Sequence, residues 1–129
     1  MTEVWTLEQY AAYQAGQHVP RFLTMDASAP EEDLEERLRQ LCEATGHYRY
    51  HTRKSTGSTP GWPDDAIVHP EGDIGGGSTL FLWELKTATG QVSPAQRRWL
   101  EALEKVTRVE VGVYRPCDWE IILEKLRRA

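Results

Sequence analysis

The sequence predicts an α/β fold in which a small mixed sheet is flanked by helices. Three observations carry that prediction. Two segments place apolar residues at helical spacing behind clear start signals, one before residue 46 and one after Ser93-Pro94. Between them lie three short strand-like runs, 48–53, 65–68 and 80–86. A fourth strand and a last helix close the chain, giving the order α, three strands, α, β, α.

Each element has its own signal. Residues 6–16 read as a short helix opened by Thr6 and stopped by Gly16, and 17–30 as irregular. Ser28-Ala29-Pro30-Glu31 supplies a cap and first-turn acids for a helix over 30–45. Leu34, Leu38, Leu41 and Cys42 form its inner stripe, and Gly46 stops it. Tyr48 to Arg53 alternates aromatic and polar residues, as a strand does, and the breakers of 55–63 follow as a loop. Asp65-Ala66-Ile67-Val68 is a short strand, and the glycines of 72–77 make a flexible connection. Leu80-Phe81-Leu82-Trp83-Glu84-Leu85-Lys86 stays apolar until its end, which suits a central strand covered on both faces. Ser93-Pro94 opens a helix carrying Gln96, Trp99, Leu100, Leu103 and Val106 at helical spacing. Residues 109–114 alternate as a strand, and Cys117 to Arg128 completes the chain as a helix with Trp119, Ile122, Leu123 and Leu126 inward.

The chain has 129 residues, 40% hydrophobic and 27% charged, the composition of one globular domain. No stretch approaches the roughly 20 apolar residues of a membrane span, and the first residues lack a signal-peptide pattern. Cys42 and Cys117 are too few for a disulfide framework or a zinc motif and read as buried small hydrophobes. A reduced, cytoplasmic protein is expected. The formal charge of −5 excludes a protein that coats nucleic acid by charge alone. The charge is unevenly placed, however. His47-Tyr48-Arg49-Tyr50-His51-Thr52-Arg53-Lys54 is a basic stretch immediately ahead of Asp64, Asp65 and Glu84. It reads either as a grip on a polyanion or as a solvated edge strand.

The chemistry concentrates at Gly61-Trp62-Pro63-Asp64 and Glu84-Leu85-Lys86. Residues two apart on a strand share a face, roughly 6–7 Å from one another, so Glu84 and Lys86 project together while Leu85 turns into the core. If the two strands pair, Asp64 comes beside Glu84, whereas Asp65 points away. Converging carboxylates repel unless a cation lies between them, and oxygen ligands favour Mg²⁺ or Mn²⁺ over zinc. A surface Glu-X-Lys pair is ordinarily worth less than about 1 kcal/mol. Here the pair ends a strand that reads as buried, where idle charges are costly. Arg53, Lys54 and Ser55 are candidate phosphate contacts, and His51 reads equally as a phosphate contact or a structural residue. Trp62, Trp83, Trp99 and Trp119 are expected in the core.

Asp64 with Glu84-X-Lys86 resembles the PD-(D/E)XK nuclease superfamily, and a longer series resembles its VRR-NUC family in a phage-type, standalone form. That series comprises Tyr50-His51-Thr52-Arg53, Ser55, Ser58, Pro60-Gly61-Trp62-Pro63-Asp64, Trp83-Glu84-Leu85-Lys86, Gly90, Ser93-Pro94-Ala95-Gln96, Trp99-Leu100, Leu103 and Arg115-Pro116-X-Asp118-Trp119. The resemblance covers about residues 31–126, so residues 1–30 are read as an extension and 31–129 as the nuclease domain. It implies a restriction-endonuclease-like αβββαβ core and a Mg²⁺- or Mn²⁺-dependent DNA endonuclease selective for branched, flapped or junction structures. It further implies Asp64 and Glu84 as metal ligands, the Leu85 backbone carbonyl as another, and Lys86 as the catalytic lysine. Glu31, or alternatively Glu35, matches the first-helix acid, and Gln96 matches a residue near the scissile phosphate. Arg49, His51, Arg53, Lys54 and Ser55 would grip the DNA backbone. Resolving a four-way junction takes two coordinated cuts, so a homodimer is expected. The rival readings are a module of the same fold that binds without cutting, and a nuclease for another nucleic acid.

Overall fold

A computed structural model describes residues 21–52 and 59–127. The helix expected over 6–16 and the candidate phosphate contacts Arg53, Lys54 and Ser55 lie outside the described residues. The elements are α1 (Glu31–Thr45), β1 (Tyr48–His51), β2 (Asp65–Val68), β3 (Leu80–Leu85), α2 (Pro94–Leu103), β4 (Val109–Tyr114) and α3 (Trp119–Leu126). A 3₁₀ turn at Arg21–Leu23 precedes them, and another at Pro116–Asp118 joins β4 to α3. The strands lie in the order β1-β2-β3-β4. The first two pairings are antiparallel and β3 pairs with β4 in parallel, α2 making the crossover. The fold is the small mixed α/β sheet that the sequence predicts.

Local chemistry sets the boundaries. Ser28 does not cap α1, because its backbone N–H and hydroxyl both donate to Asp26 Oδ1. Pro30 takes the cap position in extended backbone, and Glu31, Glu32 and Asp33 meet the positive end of the helix. Gly46, in left-handed backbone, ends it by donating to the Cys42 carbonyl. Ser93 and Gln96 form a complete capping box at the start of α2. That helix ends at Leu103, and Val106 is exposed rather than inward. At the other end of the chain, α3 begins only at Trp119, because the Asp118 carboxylate turns back to accept from Arg115 N–H across a 3₁₀ turn. The same turn leaves Cys117 exposed, against expectation, while Cys42 is buried.

One face of the sheet builds the core. Ile67, Phe81, Trp83, Leu85 and Tyr114 lie beneath Leu34, Leu38, Leu41 and Cys42 of α1 and Trp119, Ile122 and Leu126 of α3. The Trp83 ring meets Phe81 at 5.0 Å and Tyr114 at 4.9 Å. Phe22 and Met25 pack against this core, and Trp119 Nε1 donates to the Phe22 carbonyl. Alternation along β3 sends Leu82 and Glu84 to the opposite face, over part of which α2 lies with none of its own residues fully buried. Trp62 and Trp99 are half-buried there, in edge-to-face contact.

Candidate active site

The β2–β3 register pairs Asp65 with Trp83, so one step further along the ladder Asp64 stands opposite Glu84. The Asp64 carbonyl accepts from Thr52 N–H and its Oδ2 accepts from Leu85 N–H at 2.9 Å. Asp64 is 6% exposed and Glu84 is 2% exposed. Burial pushes Glu84 up to about 8, and the adjacent Asp64 carboxyl adds to the rise through hydrogen bonding and charge. Lys86 opposes that shift, and Glu31 on α1 contributes to it.

Glu84 uses its two oxygens differently. Oε2 accepts from Gln96 Nε2 at 2.9 Å and lies 3.7 Å from Lys86 Nζ. Oε1 is buried and meets no hydrogen-bond donor among the described residues. A buried oxygen without a donor, beside a second carboxylate, can take positive charge beyond that of Lys86. The donor set, all oxygen, fits a hard divalent cation held by Asp64 and Glu84.

Glycine and arginine hold this arrangement in place. Gly61 adopts φ +93, and a Cβ there would stand 2.5 Å from the Ala95 carbonyl group. The chain ahead of Asp64 therefore runs directly against the first turn of α2. Trp99 Nε1 donates to the Pro60 carbonyl at 3.2 Å, fastening the same segment. Beyond Lys86, Arg115 Nη1 donates to the carbonyls of Thr87 and Gly90, both at 2.6 Å. Gly61 and Arg115 belong to the motif series read from the sequence, but their structural jobs were not legible there.

A second constellation occupies the other face. Arg49 donates from Nε to Asp65 Oδ1 at 2.8 Å and from Nη2 to Glu35 Oε2 at 2.6 Å. His51 Nδ1 is 3.3 Å from each of those carboxylates. Burial, and then the charge of Asp65, push Glu35 up to about 8; burial pushes Asp65 up to about 6, with Asp64 adding to the rise and the bonds to Glu35 and Arg49 opposing it. Glu35, His51 and Asp65 offer ligand atoms within 4.8 Å of one another, which makes them a possible metal group in geometry. The Arg49 guanidinium already lies between the two carboxylates, however, and supplies the positive charge they need.

The expected site residues thus divide. Asp64, Glu84, Lys86 and Gln96 come together, with Leu85 bonded to Asp64 through its N–H. Glu31 reaches Glu84 through charge, whereas Glu35 pairs with Arg49. Arg49 and His51 face these inner carboxylates. A cleft of about 620 Å³ runs past both groups, lined by Glu31, Glu35, Arg49, His51 and Asp64 among others.

No protein-family model matches the sequence, and no curated protein matches it. A solved structure described as a VRR_NUC domain shares the fold, with a TM-score of 0.55 and 22% identity. The match covers 73% of this chain and 94% of that one. The chain therefore shares the fold of that domain. Among the described residues no helix is long and apolar enough to cross a membrane.

Proposed function

We propose that the protein is a Mg²⁺- or Mn²⁺-dependent endonuclease that hydrolyses DNA phosphodiester bonds. The observation that carries this reading is the buried Asp64–Glu84 pair, with one orphan oxygen, next to Lys86 and Gln96 on a nuclease-type sheet. Asp64 and Glu84 would hold the cation, which when bound would supply charge neutralisation at the phosphate and a lowered pKa for water. The chain's own groups have separate tasks. Asp64 is held in place by the Leu85 N–H, and Glu84 is aimed by the Gln96 amide. In this reading the Leu85 carbonyl and Glu31, whose charge reaches Glu84, would be further oxygen donors. Lys86, on the same face as Glu84, orients the attacking water and stabilises the anionic oxygen that develops at phosphorus. In this reading Arg53, Lys54 and Ser55 contribute the contacts to the DNA backbone, whereas Arg49 is engaged by Glu35 and Asp65.

The substrate in this reading is branched, flapped or junction DNA, and a homodimer delivers paired cuts. Five acids line the cleft, which disfavours unselective attraction of an ordinary duplex. A gel assay on branched and linear DNA with Mg²⁺ or Mn²⁺ tests the proposal. Cleavage is expected from the wild type and not from Glu84→Ala or Lys86→Ala. Binding of DNA without cleavage by the wild type, or undiminished cleavage by either variant, overturns it. Light scattering tests the dimer, which a monomer mass at assay concentration refutes.

A further inference from the structure

Tyr48 and Tyr50 are 66% and 69% exposed, although they belong to a strand of the sheet. Large aromatic rings bring substantial apolar area, and two of them side by side in water need a reason. The strand pairing places them: Tyr48 is opposite Val68, and Tyr50 is opposite Ala66. Directly paired residues share a face. The two rings therefore stand on the face that carries Leu82 and Glu84, while Arg49 between them turns to the other side, toward Glu35 and Asp65. Along β1 the next residue of that face is Thr52, whose N–H donates to the Asp64 carbonyl. From Asp64 outward the surface thus runs through Thr52 to Tyr50 and then Tyr48, on the edge strand of the sheet.

We infer that Tyr48 and Tyr50 form a stacking platform for the bases of a single-stranded segment that leads into the Asp64–Glu84 site. The inference rests on the endonuclease reading for its direction and on the sheet geometry for its chemistry. Side chains two residues apart on a strand are roughly 6–7 Å apart. That is about twice the 3.4 Å rise between stacked bases of a duplex strand. Bases laid on both rings are therefore unstacked from one another, which a single strand permits and a paired duplex resists. Stacking on an aromatic ring also needs no positive charge, so it suits an acidic protein whose neighbouring cleft is lined by Glu31, Glu32, Glu35 and Glu36. The platform supplies affinity and selects unpaired substrate, and the cutting residues remain those of the site.

The test separates binding from cleavage. Anisotropy of fluorescein-labelled oligothymidylate, measured on the full chain with EDTA present, reads the platform without any turnover. Tyr48→Ala and Tyr50→Ala are each expected to weaken that binding about tenfold. Tyr48→Phe and Tyr50→Phe are expected to preserve it, and a blunt duplex of the same length should bind all variants equally. Unchanged melting temperatures will show that the alanine variants fold. Absence of oligothymidylate binding by the wild type, or equal binding by the double alanine variant, overturns the platform. Conversion of a dimer to a monomer by that variant, with single-strand affinity intact, assigns the tyrosines to contact between copies instead. Tyrosine-dependent binding in a protein that cuts nothing would sink the endonuclease reading and leave the platform standing.

Discussion

Gln96 ties a helix cap to a buried carboxylate. Its Oε1 accepts from Ser93 N–H at 2.8 Å while its Nε2 donates to Glu84 Oε2 at 2.9 Å. One side chain thus closes the capping box of α2 and aims the acid at the end of β3. Gln96→Ala removes both bonds, and lost caps cost about 1 kcal/mol. Gln96→Glu can keep the bond to Ser93 but has nothing to donate to Glu84. Thermal melts should show Gln96→Ala destabilised and Gln96→Glu less so. Both variants are expected to lose at least about tenfold in cleavage rate, as removal of a positioned donor does. If Gln96→Glu cuts at the wild-type rate, the bond to Glu84 has no bearing on the reaction.

Glu84 makes stability depend on pH. Its folded value is raised from 4.5 to about 8, so folding favours the protonated acid. The stabilising contribution is complete below pH 4.5 and drains away as pH rises through about 8. A divalent cation should restore what ionisation removes. The rise in melting temperature on adding Mn²⁺ is expected to be larger at pH 8 than at pH 5.5, and to vanish in Glu84→Ala. A rise equal at both pH values would place the bound ion elsewhere.

Arg49 is the counter-charge for Glu35 and Asp65, both of which burial already pushes upward. Arg49→Ala strands two acids in the interior, and breaking such a pair costs about 3 kcal/mol. The acids can recover part of this by taking up protons, so the deficit should be greater at pH 8 than at pH 5. Urea unfolding at the two pH values measures it. A deficit that is small and independent of pH would show that the ion pair contributes little to the fold.

Gly61 has no room for a side chain. At φ +93, with the Ala95 carbonyl 2.5 Å from the position of a Cβ, Gly61→Ala must move either the loop or α2. Strained backbone of this kind costs about 1–3 kcal/mol. Denaturant midpoints should therefore fall, and activity should fall further, because the displaced loop carries Asp64. Gly75→Ala is the control: φ is also positive there, at +98, but no atom of the described residues lies within 4 Å of the added Cβ. Its loss of stability should reflect backbone strain alone and leave cleavage intact.

Much of this arrangement is legible in the sequence because its signals are local. Ser93-Pro94 marks the start of α2 because the cap needs only neighbouring residues. The apolar run before Glu84 reveals a covered strand because period and composition suffice. Alternation correctly separates Asp64 from Asp65, which go to opposite faces. What escaped depends on partners distant in the chain. Nothing near Arg49 signals that it turns toward Glu35 and Asp65 rather than outward, and Cys117 is exposed within the turn that the Asp118 bond closes. Ser28 was misread as a cap because Asp26 competes for it from two residues away.

Helix α2 has no completely buried residue of its own, yet it brings Gln96 to Glu84 and braces Gly61 and Pro60 ahead of Asp64. A segment that sets the reacting groups thus has little hydrophobic anchorage, and such segments open before the rest of a domain. Catalysis should therefore fail at a lower temperature than the sheet does. The protein would be inactivated while most of its amide protons are still protected from exchange.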